Sequence, residues 1–247
     1  MEGTKRSQTI STENREIAEF SVEGPDMLLP EAEYEQCPPW LYGESSLARI
    51  GNLARSFPDM VFTSLAHRID FYMLLKSFKE IRKSEISGVD EVSAKEYAES
   101  LDENLYKLLQ RLQRGQYVAT PVKRIWIDKE NGKKRPIGIP ALKDKIVQRA
   151  VYTILEKIYD VDFYNFSYGF RKGHSQHQTL HQLREKCLGQ NINWIVNADI
   201  SGLFDNIDHE LLKEIIQLRV NDGGIIRLIG KWLNAGVMEG ESLTYFN

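Results

Sequence analysis

Asp199 closes an apolar, β-branched run, Trp194-Ile195-Val196-Asn197-Ala198, and is followed by Ile200, the small pair Ser201-Gly202 and an aromatic, Phe204. A run of that length and composition predicts a buried strand. A carboxylate at the end of a strand sits on the rim of a sheet, where chemistry usually sits. An aspartate in that place also serves to cap the turn that follows. A second group is cationic. Lys129 precedes Asn131-Gly132, and Lys133, Lys134 and Arg135 follow it. Cations paired near the tip of a two-stranded ribbon suit phosphate, Arg by its planar fork and Lys as a point charge. The same lysines also blunt an exposed sheet edge. A third group, Arg171 and Lys172, lies in the glycine-broken loop Ser167-Tyr168-Gly169-Phe170-Arg171-Lys172-Gly173, just ahead of a helix start. That arrangement favours an anion.

Other candidates carry less. His177 and His181 are one helical turn apart, with His174 nearby, but no H-E-x-x-H pattern or neighbouring cysteine completes a metal set, so a polar helix face is expected. Asp208 is expected to cap a helix and Asp205 to be a local hydrogen-bonding partner. Phe204 reads equally as a core aromatic or as a contact to substrate.

The elements that must position these groups follow from periodicity and punctuation. Asp59 to Lys83 reads as one helix, with Phe62, Leu65, Ala66, Ile69, Met73, Leu74 and Phe78 at three- and four-residue spacings. Ser93 and Glu96 form a capping box for a helix whose apolar face is Tyr97, Leu101, Leu105, Leu108, Leu109 and Leu112, with Gly115 as its stop. Val118–Ile127 and Arg135–Ile139 read as strands joined by a tight Asn-Gly turn. After Pro140, the stripe Leu142, Ile146, Val147, Ala150, Val151, Ile154, Leu155, Ile158 predicts a long helix. Ser175 and Gln178 form a second capping box, for a helix ending near Gly189. Asp208 opens a helix carrying Leu211, Leu212, Ile215, Ile216 and Arg219, and residues 240–247 begin something strand-like. Residues 1–40, acidic and proline-bearing, read as an arm.

The chain's 247 residues suit one large or two modest domains, and 42% hydrophobic with 27% charged residues is ordinary for a globular chain. No apolar run reaches the roughly 18 residues of a membrane span, and no leader pattern opens the chain. Membrane is therefore not expected as a partner. Two cysteines, Cys37 and Cys187, make no disulfide framework, which fits a reducing, cytoplasmic setting. The net charge of −3 conceals a polarity. Residues 1–35 hold 3 basic side chains against 9 acidic, whereas residues 121–149 hold 9 basic against 3 acidic. Phosphate binding depends on local charge, so the second block matters more.

Three stretches, taken together and in order, resemble the group II intron-encoded reverse transcriptases. Asp199-Ile200-Ser201-Gly202-Leu203-Phe204-Asp205 is similar to their first palm motif. Lys129 through Arg135 and then Pro136-Ile137-Gly138-Ile139-Pro140 is similar to their fingers motif. Tyr168 to Ser175 resembles the motif that follows, except that Lys172 and His174 stand where the family usually has Pro and Arg. The resemblance runs from about Phe62 to Val237.

It implies an α+β chain of the right-hand polymerase fold: an N-terminal arm and lead-in at 1–58, helical fingers with a β-hairpin at 59–190, and the first, incomplete part of the palm sheet at 191–247. It implies nucleotidyl transfer to a primer end, with Asp199 and the Ile200 carbonyl on magnesium (Mg2+, or Mn2+). Lys129, Arg135, Ile200 and Phe204 would then meet the incoming deoxynucleoside triphosphate, with Phe204 against the sugar. Lys133, Lys134, Arg171 and Lys172 would meet nucleic acid. The expected partners are an RNA template, intron RNA, and a DNA primer or target. No Asp-Asp pair exists in the sequence, so the family's two further metal-binding aspartates would lie beyond Asn247. The alternative is a non-catalytic intron-RNA-binding maturase or an inactive truncated copy.

Overall fold

The computed structural model describes residues 44–81, 87–128, 132, 134–200 and 202–245. They form a mixed α and β structure with helices α1 (Glu44–Ser56), α2 (Phe71–Glu80), α3 (Ala94–Glu99), α4 (Leu101–Gln113), α5 (Leu142–Tyr159), α6 (Gln176–Gly189), α7 (His209–Gln217) and α8 (Gly223–Leu233). Strands β1 (Val122–Asp128), β2 (Lys134–Ile139), β3 (Val237–Glu239) and β4 (Ser242–Thr244) make one sheet in the order β2-β1-β3-β4. β1 pairs antiparallel with β2 and parallel with β3, and β3 pairs antiparallel with β4. Among the described residues no helix is long and apolar enough to cross a membrane.

The core is built around α5. Its stripe Ile146, Val147, Ala150, Val151, Ile154 and Ile158 is buried, as the spacing predicts, against α1 and α2. Leu47, Ile50 and Ala54 enter from α1, and Leu74, Leu75 and Phe78 from α2. Leu105 and Leu108 of α4 complete it beside α2. Ile154→Ala removes three carbons at a fully enclosed position. It is expected to lower the unfolding free energy by about 2–5 kcal/mol, read as a fall in the urea midpoint. A loss under about 1 kcal/mol would place the core elsewhere.

Both capping boxes form. The Ser93 backbone N–H donates to Glu96 Oε2 at 2.8 Å while Glu96 N–H donates to Ser93 Oγ. Ser175 and Gln178 exchange the same pair of bonds. The hairpin β1–β2 forms with Gly132 at φ +72°, the left-handed value that favours glycine at a tight turn. Asn131 of the expected turn lies outside the described residues.

Four expected elements differ. The helix expected over 59–83 is only α2 plus a short 3-10 turn at Ala66–Arg68. Its upstream half is held in a parallel bridge with the end of α7, where Phe62 N–H donates to the Arg219 carbonyl at 2.8 Å and Asn221 N–H donates to the Phe62 carbonyl at 2.9 Å. Asp70 then starts α2, accepting from Met73 N–H at 2.7 Å. Lys83 lies outside the described residues. The helix opened by Ser93 breaks at Ser100, whose backbone leaves the helical region (φ −131°, ψ 48°). The strand expected from Val118 starts four residues late, because Pro121 has no N–H and Thr120 N–H is turned to Asp144.

The largest difference concerns Asp199. Residues 192–200 take no helix or strand, and Trp194 and Val196 are 89% and 90% exposed. A strand needs a ladder partner, and among the described residues none lies beside this one. The sheet instead joins the hairpin to residues 237–244.

Candidate nucleic-acid interface

The hairpin presents its cations on two faces. Register places Lys134 across from Asp128, Pro136 across from Trp126 and Gly138 across from Arg124. The alternate positions pair Arg135 with Ile127, Ile137 with Ile125 and Ile139 with Lys123. Directly opposed residues share a face. Lys134 therefore stands on the Trp126 face and Arg135 on the isoleucine face, both exposed. One phosphate cannot take both from one side. Lys129 and Lys133 lie outside the described residues.

The loop after α5 is organised by Arg171. Its guanidinium donates to Asp160 Oδ1 at 2.9 Å, to the carbonyls of Ser167 and Tyr164 at 2.9 and 3.1 Å, and to the Asp160 carbonyl at 3.2 Å. It also lies 5.1 Å from the Phe163 ring centroid. A fork engaged by this many acceptors fixes the loop rather than reaching outward, so Lys172, exposed beside it, is the outward cation. His174 packs edge-on against Tyr168 and its Nδ1 lies 3.2 Å from the Lys172 carbonyl oxygen. Phe170 projects fully into solvent at φ +58°.

Asp199 and Ile200 lie on the exposed, unpaired segment, and Phe204 begins a 3-10 turn (Phe204–Asn206) with its ring 84% exposed. Phe204 does not join the core of the described residues. The Asp205 side chain lies outside what is described. Asp208 caps α7 as expected, accepting from Glu210 N–H at 2.8 Å and Leu211 N–H at 2.9 Å. The Leu211 N–H, then that of Glu210, hold its carboxyl below the usual aspartate range.

Among the described residues no group of three or more His, Cys, Asp and Glu side chains is placed to hold a metal ion. His174, His177 and His181 form no such group, and His181 instead meets Glu185, with Nδ1 and Oε2 3.5 Å apart. Asp199 offers one carboxylate, which does not by itself make a magnesium or manganese site.

Three polar groups that hold this scaffold were missed in the sequence. Asp222 caps α8 through Gly224 and Ile225, and its other oxygen takes the N–H groups of Leu65 and Ala66. An aspartate just ahead of the apolar stretch Ile225-Ile226 was the available signal. Arg219, expected on the helix opened by Asp208, lies past its end at Gln217 and instead donates to Asp162 and to the carbonyls of Pro58 and Met60, tying the chain after α7 to the chain before the 3-10 turn. Asp144 is buried in the first turn of α5, where it accepts from Tyr117 Oη at 2.6 Å and Thr120 N–H at 2.9 Å. Trp232 Nε1 donates to the same phenol at 2.8 Å. Burial, with the Asp144 bond adding to it, pushes the Tyr117 phenol far up. No sequence pattern marks a buried aspartate of this kind.

Comparison with known proteins adds a family. Residues 127–246, from the end of β1 onward, match the family described as reverse transcriptase (RNA-dependent DNA polymerase). The chain is 37% identical over 198 residues to the group II intron-encoded protein LtrA of Lactococcus lactis subsp. cremoris, a match covering 78% of this chain and 32% of that protein. It is 37% identical over 152 residues to protein YkfC of Escherichia coli K12, covering 60% of this chain and 40% of the relative. It is 28% identical over 121 residues to nuclear intron maturase 1, mitochondrial, of Arabidopsis thaliana, covering 46% and 17%. The chain thus spans about a third of the length of the intron-encoded relative.

Proposed function

On the footing that this chain belongs to the family of group II intron-encoded reverse transcriptases and maturases, we propose that it is the fingers and the beginning of the palm of an RNA-directed DNA polymerase. In this reading it holds intron or template RNA and a DNA primer or target by their phosphates, while a deoxynucleoside triphosphate enters beside the hairpin. The observation that carries the reading is the exposed cationic hairpin, whose end of β1 opens the matched stretch. It lies in the block with 9 basic against 3 acidic side chains. Lys133, Lys134 and Lys172 contact nucleic acid, and Arg171 acts by shaping the loop that carries Lys172. Lys129 and Arg135 meet the triphosphate, and Phe204, exposed beside Asp199, meets the sugar. Transfer to the primer end depends on a divalent cation, for which Asp199 and the Ile200 carbonyl supply one carboxylate and one oxygen. The remaining ligands come from outside the described residues.

A second reading is a maturase that binds intron RNA without polymerising. The likeness to a protein named as an intron maturase favours it. Both readings use the same cations, so RNA binding is the first thing to measure. Lys133, Lys134 and Arg135 changed together to Ala should lower RNA affinity and flatten the slope of log affinity against log salt. For a single strand the reduction is up to about 1.4, since Lys133 and Lys134 each give up a phosphate contact of about 0.7 and Arg135 is assigned to the triphosphate. An unchanged slope in a filter-binding titration removes the hairpin from the interface.

A further inference from the structure

The hairpin's two faces differ in chemistry, and one of them carries an indole fixed in place. Trp126 Nε1 donates to Glu239 Oε1 at 2.6 Å. The Arg124 guanidinium lies 3.7 Å from Glu239 Oε2 and 6.0 Å from the Trp126 ring centroid. Glu239 belongs to β3, which pairs with β1, so a strand distant in sequence fixes the ring. Trp126 is nonetheless 48% exposed. Its one polar atom is already satisfied, so what it offers to solvent is π surface alone. Pro136 stands directly across and is exposed too. A proline is tolerated there because, among the described residues, β2 is the edge of the sheet, with no outer neighbour to need its N–H. Lys134 lies two residues along β2 on the same face, roughly 7 Å away at strand rise.

We propose that Trp126 and Pro136 form a shelf on which one unpaired base of an RNA strand stacks, with Lys134 on a neighbouring phosphate. This rests on the RNA-binding reading above and adds to it a residue that meets a base rather than the backbone. Every base has a π face, so such a shelf tolerates sequence and selects for unpaired strands. Locking the ring beforehand removes part of the ordering cost of binding. The charges on this face are balanced, Asp128 across from Lys134 and Glu239 against Arg124, so charge alone does not make it a phosphate track. Arg135, on the opposite face, is left for a different ligand. The hairpin then separates two ligands by its two faces.

The test uses the whole chain, a short labelled oligouridylate and a duplex RNA of equal length, followed by fluorescence anisotropy. Trp126→Leu should weaken the single strand roughly 5- to 100-fold and leave the duplex unchanged. It should leave the salt slope for the single strand as it was, because no phosphate contact is lost. Trp126→Phe keeps a ring without the N–H and should retain most of the affinity. Oligouridylate should also quench indole emission in the unaltered protein and fail to quench that component in Trp126→Phe. If Trp126→Leu binds the single strand like the unaltered protein, or loses single strand and duplex equally, the shelf is overturned while RNA binding stands. If the unaltered protein binds neither RNA, the RNA-binding reading falls and takes the shelf with it.

Discussion

Asp222→Ala is expected to lower the unfolding free energy by about 1.5–5 kcal/mol, a large share of a typical domain's total of about 5–15. Two losses combine. The first is the helix cap: Oδ1 takes Gly224 N–H at 2.7 Å and Ile225 N–H at 3.0 Å, a contribution of about 0.5–2 kcal/mol. The second is the tie across the chain, where Oδ2 takes Leu65 N–H at 2.5 Å and Ala66 N–H at 3.1 Å. Leu65 is buried, so its amide would be left without a partner, at about 1–3 kcal/mol. Close packing forbids easy relaxation, since a Cβ built on Gly224 would come 2.5 Å from the Ala66 Cβ.

Burial alone would raise the Asp222 carboxyl, but the N–H groups of Leu65, Ile225, Ala66 and Gly224 outweigh it and hold it below the usual aspartate value. Its contribution is therefore complete above the ordinary aspartate pKa of about 3.9 and is lost as pH falls through the lower folded value. Urea unfolding followed by circular dichroism at neutral pH and near pH 3 checks both parts. Asp222→Asn keeps an acceptor toward one pair of amides only, so it should cost less at neutral pH and show a weaker acid dependence. A cost for Asp222→Ala below about 0.5 kcal/mol would mean that these bonds do not hold α8 to the 3-10 turn.

What the sequence made legible is what is decided within a few residues. The two capping boxes, the Asp208 cap, the glycine-turned hairpin and the α5 stripe all rest on local spacing, and all form. The misreadings share a different cause. Phe62 has helical spacing, yet its backbone is taken by Arg219 and Asn221, more than 150 residues away. The run Trp194 to Ala198 has strand composition, but a strand is a property of two segments, and no partner lies beside it among the described residues. Arg171 was legible as a cation and not as a loop organiser, because its acceptors are main-chain carbonyls that any sequence supplies. Asp144 and Tyr117 were invisible for the same reason: nothing local distinguishes a buried carboxylate from an exposed one.

Residues 1–247 alone should extend no primer on an RNA template at any magnesium concentration, even where they are expected to bind that RNA. Phosphoryl transfer of this kind needs two cations about 3.5–4 Å apart, between the attacking and leaving oxygens. The described residues gather no set of three ligands for even one. Asp208 is engaged by two backbone amides, which hold its carboxyl below the usual aspartate range. A polypeptide that carries the whole reverse transcriptase domain should extend the primer. In it, Asp199→Asn should reduce extension on the order of 10³-fold or more, about 4 kcal/mol of barrier. The substitution keeps the side chain's shape and removes its charge. It should leave RNA affinity within about twofold, because affinity comes from phosphate contacts elsewhere. Primer extension beside filter binding reads both quantities. Extension by residues 1–247 alone would show that the ligands are present after all. Extension by the longer chain carrying Asp199→Asn would remove Asp199 from the reaction. Loss of RNA binding together with extension would mean that Asp199 holds the surface's shape rather than the cation.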